Sequence, residues 1–259
     1  MKQMGLLWPL ALSAGLWWAT GCASHTAGPA PQLAARQETP ATPTPAATEE
    51  SRITLPPGAA QPPAPFEGEG WQAMFDGQTL DGWRATPFAG CGEVHCQQGV
   101  ILLDMGDPFT GINWTNEFLR MNYEVALDAM RVMGSDFFCG LTVPVGTNFC
   151  SLIVGGWGGS LVGISSLDGM DASENESTKF VNFENGRWYR IRLRVTAKKI
   201  EAWVDKEKLV DVVTTGRQIS VRPGDIELSE PFGLAAWQTA AALREIRYRR
   251  VSGPAGKGG

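Results

Sequence analysis

The chain has 259 residues, 43% hydrophobic and 19% charged, a globular composition with enough apolar material for one sizeable core. A net charge of -5 excludes the concentrated Lys/Arg surface that phosphate backbones require, so no nucleic-acid partner is expected. Its 10 Trp have to serve either the core or a flat, apolar-faced ligand.

Lys2 forms a positive n-region, and Gly5 to Trp18 is an apolar run too short to span a bilayer comfortably, as in a signal peptide. It ends at Ala19-Thr20-Gly21-Cys22, where small residues lead into a cysteine as in a bacterial lipobox, with Ala19 in place of the usual leucine. Acyl chains on Cys22 would hold the protein to the membrane through lipid alone, at about 0.8 kcal/mol per buried CH₂. The alternative is a plain secretory signal cut nearby, and both readings export the chain. Ala23 and Ser24 follow with no aspartate, which resembles lipoproteins sorted to the outer membrane of the bacterial envelope.

Residues 1–22 therefore read as a lipoprotein signal peptide. Residues 23–65, exemplified by Pro40-Ala41-Thr42-Pro43-Thr44-Pro45, read as a disordered Pro/Ala/Thr-rich tether that reaches roughly 35–40 Å or more. Residues 66–252 form the domain, expected as a monomer, and 253–259 a disordered tail.

Within the domain the pattern is one of strands. In chain order they are expected at Glu93–Cys96, Val100–Leu103, Asn122–Ala129, Phe137–Val143, Phe149–Val154, Leu161–Ser165, Trp188–Val195, Lys199–Asp205, Lys208–Val213, Phe232–Trp237 and Leu243–Val251. Trp188–Val195 is the clearest: Tyr189, Ile191, Leu193 and Val195 alternate strictly with Arg190, Arg192 and Arg194. Lys199–Asp205 alternates likewise, so its acids can face those arginines across a hairpin, on an outer surface read as solvated. Asn122–Ala129 turns Tyr123, Val125 and Leu127 inward and Glu124 and Asp128 outward. Short strands, glycine-rich breaks and no long amphipathic helix imply an all-β sandwich or barrel.

Setting Cys22 aside leaves Cys91, Cys96, Cys139 and Cys150. In an exported chain these suggest two disulfides, with the local pairs Cys91–Cys96 and Cys139–Cys150 favoured, each worth about 2–3 kcal/mol. The alternative, a metal site of Cys91, His95 and Cys96, is poor in ligands, because the chain holds only 2 His.

Candidate site residues cluster late in the chain. Gly155-Gly156-Trp157-Gly158-Gly159 either displays Trp157 as a platform for a sugar ring or makes room for a buried indole. Asp168, Asp171, Glu174, Asn175 and Glu176 follow within nine residues. They offer a general base, with Asp168 and Glu174 foremost, or hydrogen bonds to sugar hydroxyls from Asp171 and Asn175. They also offer oxygen ligands for a divalent cation such as Ca²⁺; the bland reading is a solvated acidic loop. Trp114 and Trp237 are further candidates for the ligand face, and Asp136 is a lesser candidate base. His95 is the only histidine of the domain, which excludes a Ser-His-Asp triad. Gly155–Gly159 opens no helix, so no phosphate loop is read there.

Trp71-Gln72-Ala73-Met74-Phe75-Asp76-Gly77-Gln78-Thr79-Leu80-Asp81-Gly82-Trp83 resembles the opening signature of the 3-keto-disaccharide hydrolase family. The strands Asn185–Ile191 and Ile200–Asp205, and the closing segments Phe232-Gly233-Leu234 and Leu243–Arg247, fit the same family. The resemblance implies a concanavalin A-like jelly roll of two antiparallel sheets. It also implies action on glycosides oxidised at sugar C3, where the ketone acidifies the C2 proton and a base can then expel the C1 substituent. The chain departs from the family in the middle. A Gly-aromatic-Glu-x-Gln-x-x-Asp strand is typical there, but Asn148–Gly155 sets Cys150, Leu152 and Gly155 at the acidic and amide positions. Three functions are thus weighed: an enzyme acting on an oxidised disaccharide, a non-catalytic carbohydrate-binding module, and an envelope protein-interaction domain.

Overall fold

The structure, a computed structural model, describes residues 53–251. The signal peptide, Cys22, most of the expected tether and the tail lie outside the described residues. Among the described residues there are fifteen strands: β1 (Gln72–Ala73), β2 (Trp83–Ala85), β3 (Val94–Gln97), β4 (Val100–Leu103), β5 (Phe109–Trp114), β6 (Tyr123–Gly134), β7 (Cys139–Val145), β8 (Asn148–Gly155), β9 (Leu161–Ser165), β10 (Lys179–Phe180), β11 (Trp188–Val195), β12 (Lys199–Val204), β13 (Glu207–Val213), β14 (Gly233–Trp237) and β15 (Thr239–Arg250). They form two antiparallel sheets. The first has the order β13-β12-β11-β6-β15-β4-β3, with β1 added to β15; the second has the order β10-β9-β8-β7-β14-β5-β2. This is the jelly-roll sandwich expected from the short alternating strands.

The core lies between the sheets, where Tyr123, Val125 and Leu127 of β6 and Ile191, Leu193 and Val195 of β11 meet Leu141, Leu152 and Ile164 of the second sheet. The periodicity located most strands. It missed β5, because Thr110, Gly111 and Asn113 interrupt its apolar pattern. Those polar groups are buried but satisfied: Thr86 Oγ1 donates to Asn113 Oδ1 at 2.6 Å, and the Gly92 amide donates to Thr110 Oγ1 at 2.8 Å.

The opening signature proves to be fold chemistry. Asp76 Oδ1 accepts the amides of Gln78 and Thr79 at 2.7 and 2.8 Å, and these bonds hold its carboxyl below the ordinary range. Trp83 is buried and donates its Nε1–H to Met74 O at 2.7 Å. Gly82 has to be glycine: its φ is +77°, and a Cβ there would stand 2.6 Å from the Trp114 ring.

The outer face of the first sheet corrects the reading of a solvated charged surface. Glu124 and Asp128 do point outward from β6, but both are buried. The register sets Glu124 between Arg194 of β11 and Arg249 of β15, and Asp128 between Arg190 and Arg244. A bulge at Glu245, with φ +53°, shifts β15 so that Arg244 and Arg247 share this face. Aromatic rings then cover the arginines: Phe66 lies 3.9 Å from Arg190 and Trp71 4.4 Å from Arg249.

Residues 53–65, read from composition as tether, take part in this cover. Trp188 Nε1 donates to Ala59 O at 3.1 Å, Arg244 Nη1 to Gln61 O at 2.6 Å and Arg190 Nη2 to Ala64 O at 2.8 Å. Composition misplaced the boundary because this strap contributes mainly backbone carbonyls, which any sequence carries.

The expected disulfides are absent. Cys91, Cys96, Cys139 and Cys150 are all free thiols. In the β7–β8 ladder Cys139 stands opposite Val154, and Cys150 opposite Val143. The two sulfurs are therefore offset by four residues, about 13 Å along the strands, beyond the reach of a disulfide. Cys91 precedes β3 and Cys96 lies within it.

Candidate functional site

Alternation leaves a second, smaller apolar cluster on the outer face of the second sheet, built from Phe88, Phe109, Phe137, Ile153, Leu161 and Ala235, with Trp237 packed against it. Glycine makes room for these rings: a Cβ at Gly140 would stand 2.9 Å from Phe137 Cε2. Phe109 meets Trp237 edge to face at 4.5 Å. Over this floor opens a cleft of about 490 Å³, a size typical of small-ligand sites. Its aromatic lining is Phe109, Phe137, Trp157 and Trp237, and its polar lining includes Ser151, Ser165, Asp136, Asp171, Arg222 and Asp225.

Four of the expected site residues thus converge: Asp136, Trp157, Asp171 and Trp237. Trp157 is 43% exposed, so it is displayed and not buried among its glycines. Its backbone is left-handed, with φ 49° and ψ 55°, a costly conformation for a bulky residue. Asp136 braces that turn. Its Oδ2 accepts the Gly158 amide at 3.0 Å, while Oδ1 accepts the Phe137 amide at 2.7 Å. Asp171 is equally committed: it accepts the Ser165 hydroxyl and the Ala172 amide, and pairs with Arg222 Nη1 at 2.9 Å.

The other expected residues lie elsewhere. Asp168 binds Arg217 Nε and the Gln218 amide, the latter at 2.8 Å. Glu176 also pairs with Arg217, which holds its carboxyl below the ordinary range. Glu174 accepts the Asp171 amide at 3.4 Å. Asn175 is buried, and its Nδ2 donates to the carbonyls of Ile164 and Asp171 at 2.8 and 2.7 Å. These groups organise the loop after β9 and do not line the cleft. Among the described residues no group of three or more His, Cys, Asp or Glu is placed to hold a metal ion. Trp114 points to the core side of β5, edge to face with Trp83 at 5.1 Å.

On β8, Cys150 and Leu152 face the core, while Ser151 and Ile153 face the cleft. The strand carries no acid on either face. Sequence reasoning missed Phe109, Arg222 and Asp225. The Pro223-Gly224 dipeptide between two charges was the available signal for the last two, since such a turn displays its flanks. Arg222 spends one amino group on Asp171, and Asp225 has no partner among the described residues.

A family model described as a 3-keto-alpha-glucoside-1,2-lyase-like domain matches residues 70–252. No curated protein matches the chain. Similar solved structures include a candidate glycosyl hydrolase from Parabacteroides distasonis, at 14% identity over 71% of this chain and 95% of that one, with a TM-score of 0.46. The carbohydrate binding module CBM66 from Bacillus subtilis has 12% identity over 69% and 99% of the two chains, with a TM-score of 0.46. A Bacillus licheniformis beta-glucanase has 11% identity over 71% and 100%, with a TM-score of 0.45.

Proposed function

Because the chain belongs to the 3-keto-alpha-glucoside-1,2-lyase-like domain family, we propose that it takes a glycoside oxidised at C3 into the cleft and cleaves it there. The observation that carries this reading is the pairing, on one rim, of Asp225 without a protein partner and Arg222 with donors to spare. Trp157, Trp237 and Phe109 offer apolar faces to the sugar ring. Asp225 takes the C2 proton, and the C–H electron pair moves into an enolate whose C3 oxygen accepts hydrogen bonds from Arg222. Collapse of the enolate restores the ketone, forms the C1–C2 double bond and expels the C1 substituent, which recovers the proton. Water adding across that double bond completes a net hydrolysis. Asp136 and Asp171 act through Trp157 and Arg222, which they position.

Incubating the full chain with a 3-keto-disaccharide, with and without EDTA, tests the proposal. Product formation lost in Asp225→Asn and Arg222→Ala supports it, and no product above the enzyme-free control removes it. The acid-free face of β8 favours a second reading, a carbohydrate-binding module without turnover. Under that reading the wild type binds the disaccharide, releases no product, and binds as well after Asp225→Asn.

We propose further that Cys22 carries a lipid anchor in the bacterial envelope, in the outer membrane. Support comes from the apolar run ending at Ala19-Thr20-Gly21-Cys22. Incorporation of labelled palmitate by the wild type and not by Cys22→Ser is the expected result.

A further inference from the structure

Arg131, near the end of β6, is only 6% exposed. No carboxylate pairs with it among the described residues. Nε donates to Asn185 Oδ1 at 2.6 Å, Nη1 to Gly159 O at 3.2 Å and Nη2 to Phe183 O at 2.6 Å. All three acceptors are neutral, and two of the five guanidinium N–H groups remain. Burial pulls its pKa down, and the Asp136 carboxylate lies close enough to oppose this. Both Asp136 oxygens, however, already accept the amides of Phe137 and Gly158. A guanidinium stays charged in a protein, and a buried charge ordinarily has a counter-charge beside it.

Arg131 also lines a second cleft, of about 380 Å³, with Ser135, Gly158, Ser160, Asn182 and Asn185 and with no Asp or Glu. The hydroxyls of Ser135 and Ser160 and the amide of Asn182 have no side-chain partner among the described residues. Each of these three groups can donate a hydrogen bond to an anion beside the cation. The turn carrying Trp157 separates the two clefts: Trp157 lines the first, and Gly158 to Ser160 line the second.

We propose that the second cleft binds an oxyanion group, a carboxylate or sulfate carried on a sugar, whose adjoining ring lies across Trp157 in the first cleft. The anion supplies the directly bonded partner that Arg131 lacks. The ligand of the first cleft is then an acidic glycan, a conclusion that rests on the carbohydrate reading given above.

The anion site is tested apart from that reading. The isotope-labelled full chain is titrated with sulfate against chloride at matched ionic strength, following the side-chain amide of Asn185. A saturable shift is expected in the wild type. It should weaken about tenfold in Asn182→Asp, which places a carboxylate on the exposed wall and leaves the three Arg131 hydrogen bonds in place. Tryptophan fluorescence should then report about tenfold tighter binding of a glucuronate-containing disaccharide than of its neutral counterpart, and no such preference in Asn182→Asp. Absence of a saturable sulfate shift, or equal affinity in the two proteins, overturns the site and leaves Arg131 a clamp on the Gly159 and Phe183 carbonyls. Equal binding of the two disaccharides overturns the shared ligand. A saturable sulfate shift with no fluorescence response to either disaccharide supports the anion site and tells against the carbohydrate reading.

Discussion

Glu124 Oε2 lies 2.9 Å from Arg249 Nη2, and the glutamate side chain is wholly shielded from solvent. Arg192 and Arg194 approach the same carboxylate at 3.2 and 3.3 Å. Removing the acid leaves three arginines facing one another in a partly buried layer. Glu124→Ala should therefore cost about 3–5 kcal/mol, because the loss is mainly that of uncompensated charge. Urea denaturation reads this directly, and a loss below about 1 kcal/mol would contradict the account.

The strap across the same face has its own test. A version beginning at residue 66 removes the acceptors Ala59 O, Gln61 O and Ala64 O from Trp188, Arg244 and Arg190. With about 1 kcal/mol per hydrogen bond, it should lose about 3 kcal/mol against a version beginning at residue 53. Equal denaturation midpoints would mean that the strap adds nothing.

Trp157 should show function set against stability. Both Ala and Gly at this position remove the indole, and both should abolish saccharide binding. They differ in backbone cost, since only glycine adopts φ 49° without strain. Trp157→Gly should thus be more stable than Trp157→Ala by about 1 kcal/mol. The opposite order would show that the left-handed turn is not held in solution.

The thiols give a fourth test. Burial pushes Cys139 and Cys150 from their ordinary value of 9.0 up to about 12. Between those values the unfolded chain releases protons that the folded chain retains. Their contribution to stability is therefore full below pH 9 and is lost as pH rises toward 12. The urea midpoint should fall between about pH 8 and about pH 10.5. Thiol titration of the native protein at neutral pH should modify Cys91 first and Cys96 more slowly, and reach the other two only on unfolding. A chain with no titratable thiols in the domain would reinstate the disulfides.

Periodicity of two is a local property, so the sequence by itself determined the strands of β11, β4 and β9 to the residue and named Tyr189, Ile191 and Leu193 as core. It also marked Trp157, whose glycine neighbours are contiguous with it. Which acids line the cleft was not local. Asp168 and Glu174 stand three and two residues from equally acidic neighbours of the same loop, yet Asp168 is claimed by Arg217, a partner reached only after folding, while Glu174 accepts the nearby Asp171 amide. Asp225 comes to the cleft from a loop more than 50 residues further along. The fate of Glu124 and Asp128 likewise depended on strands β11 and β15, far apart in sequence and on either side of β6. Alternation states which way a side chain points; only the packed sheets, and the strap laid over one of them, decide whether water is waiting there.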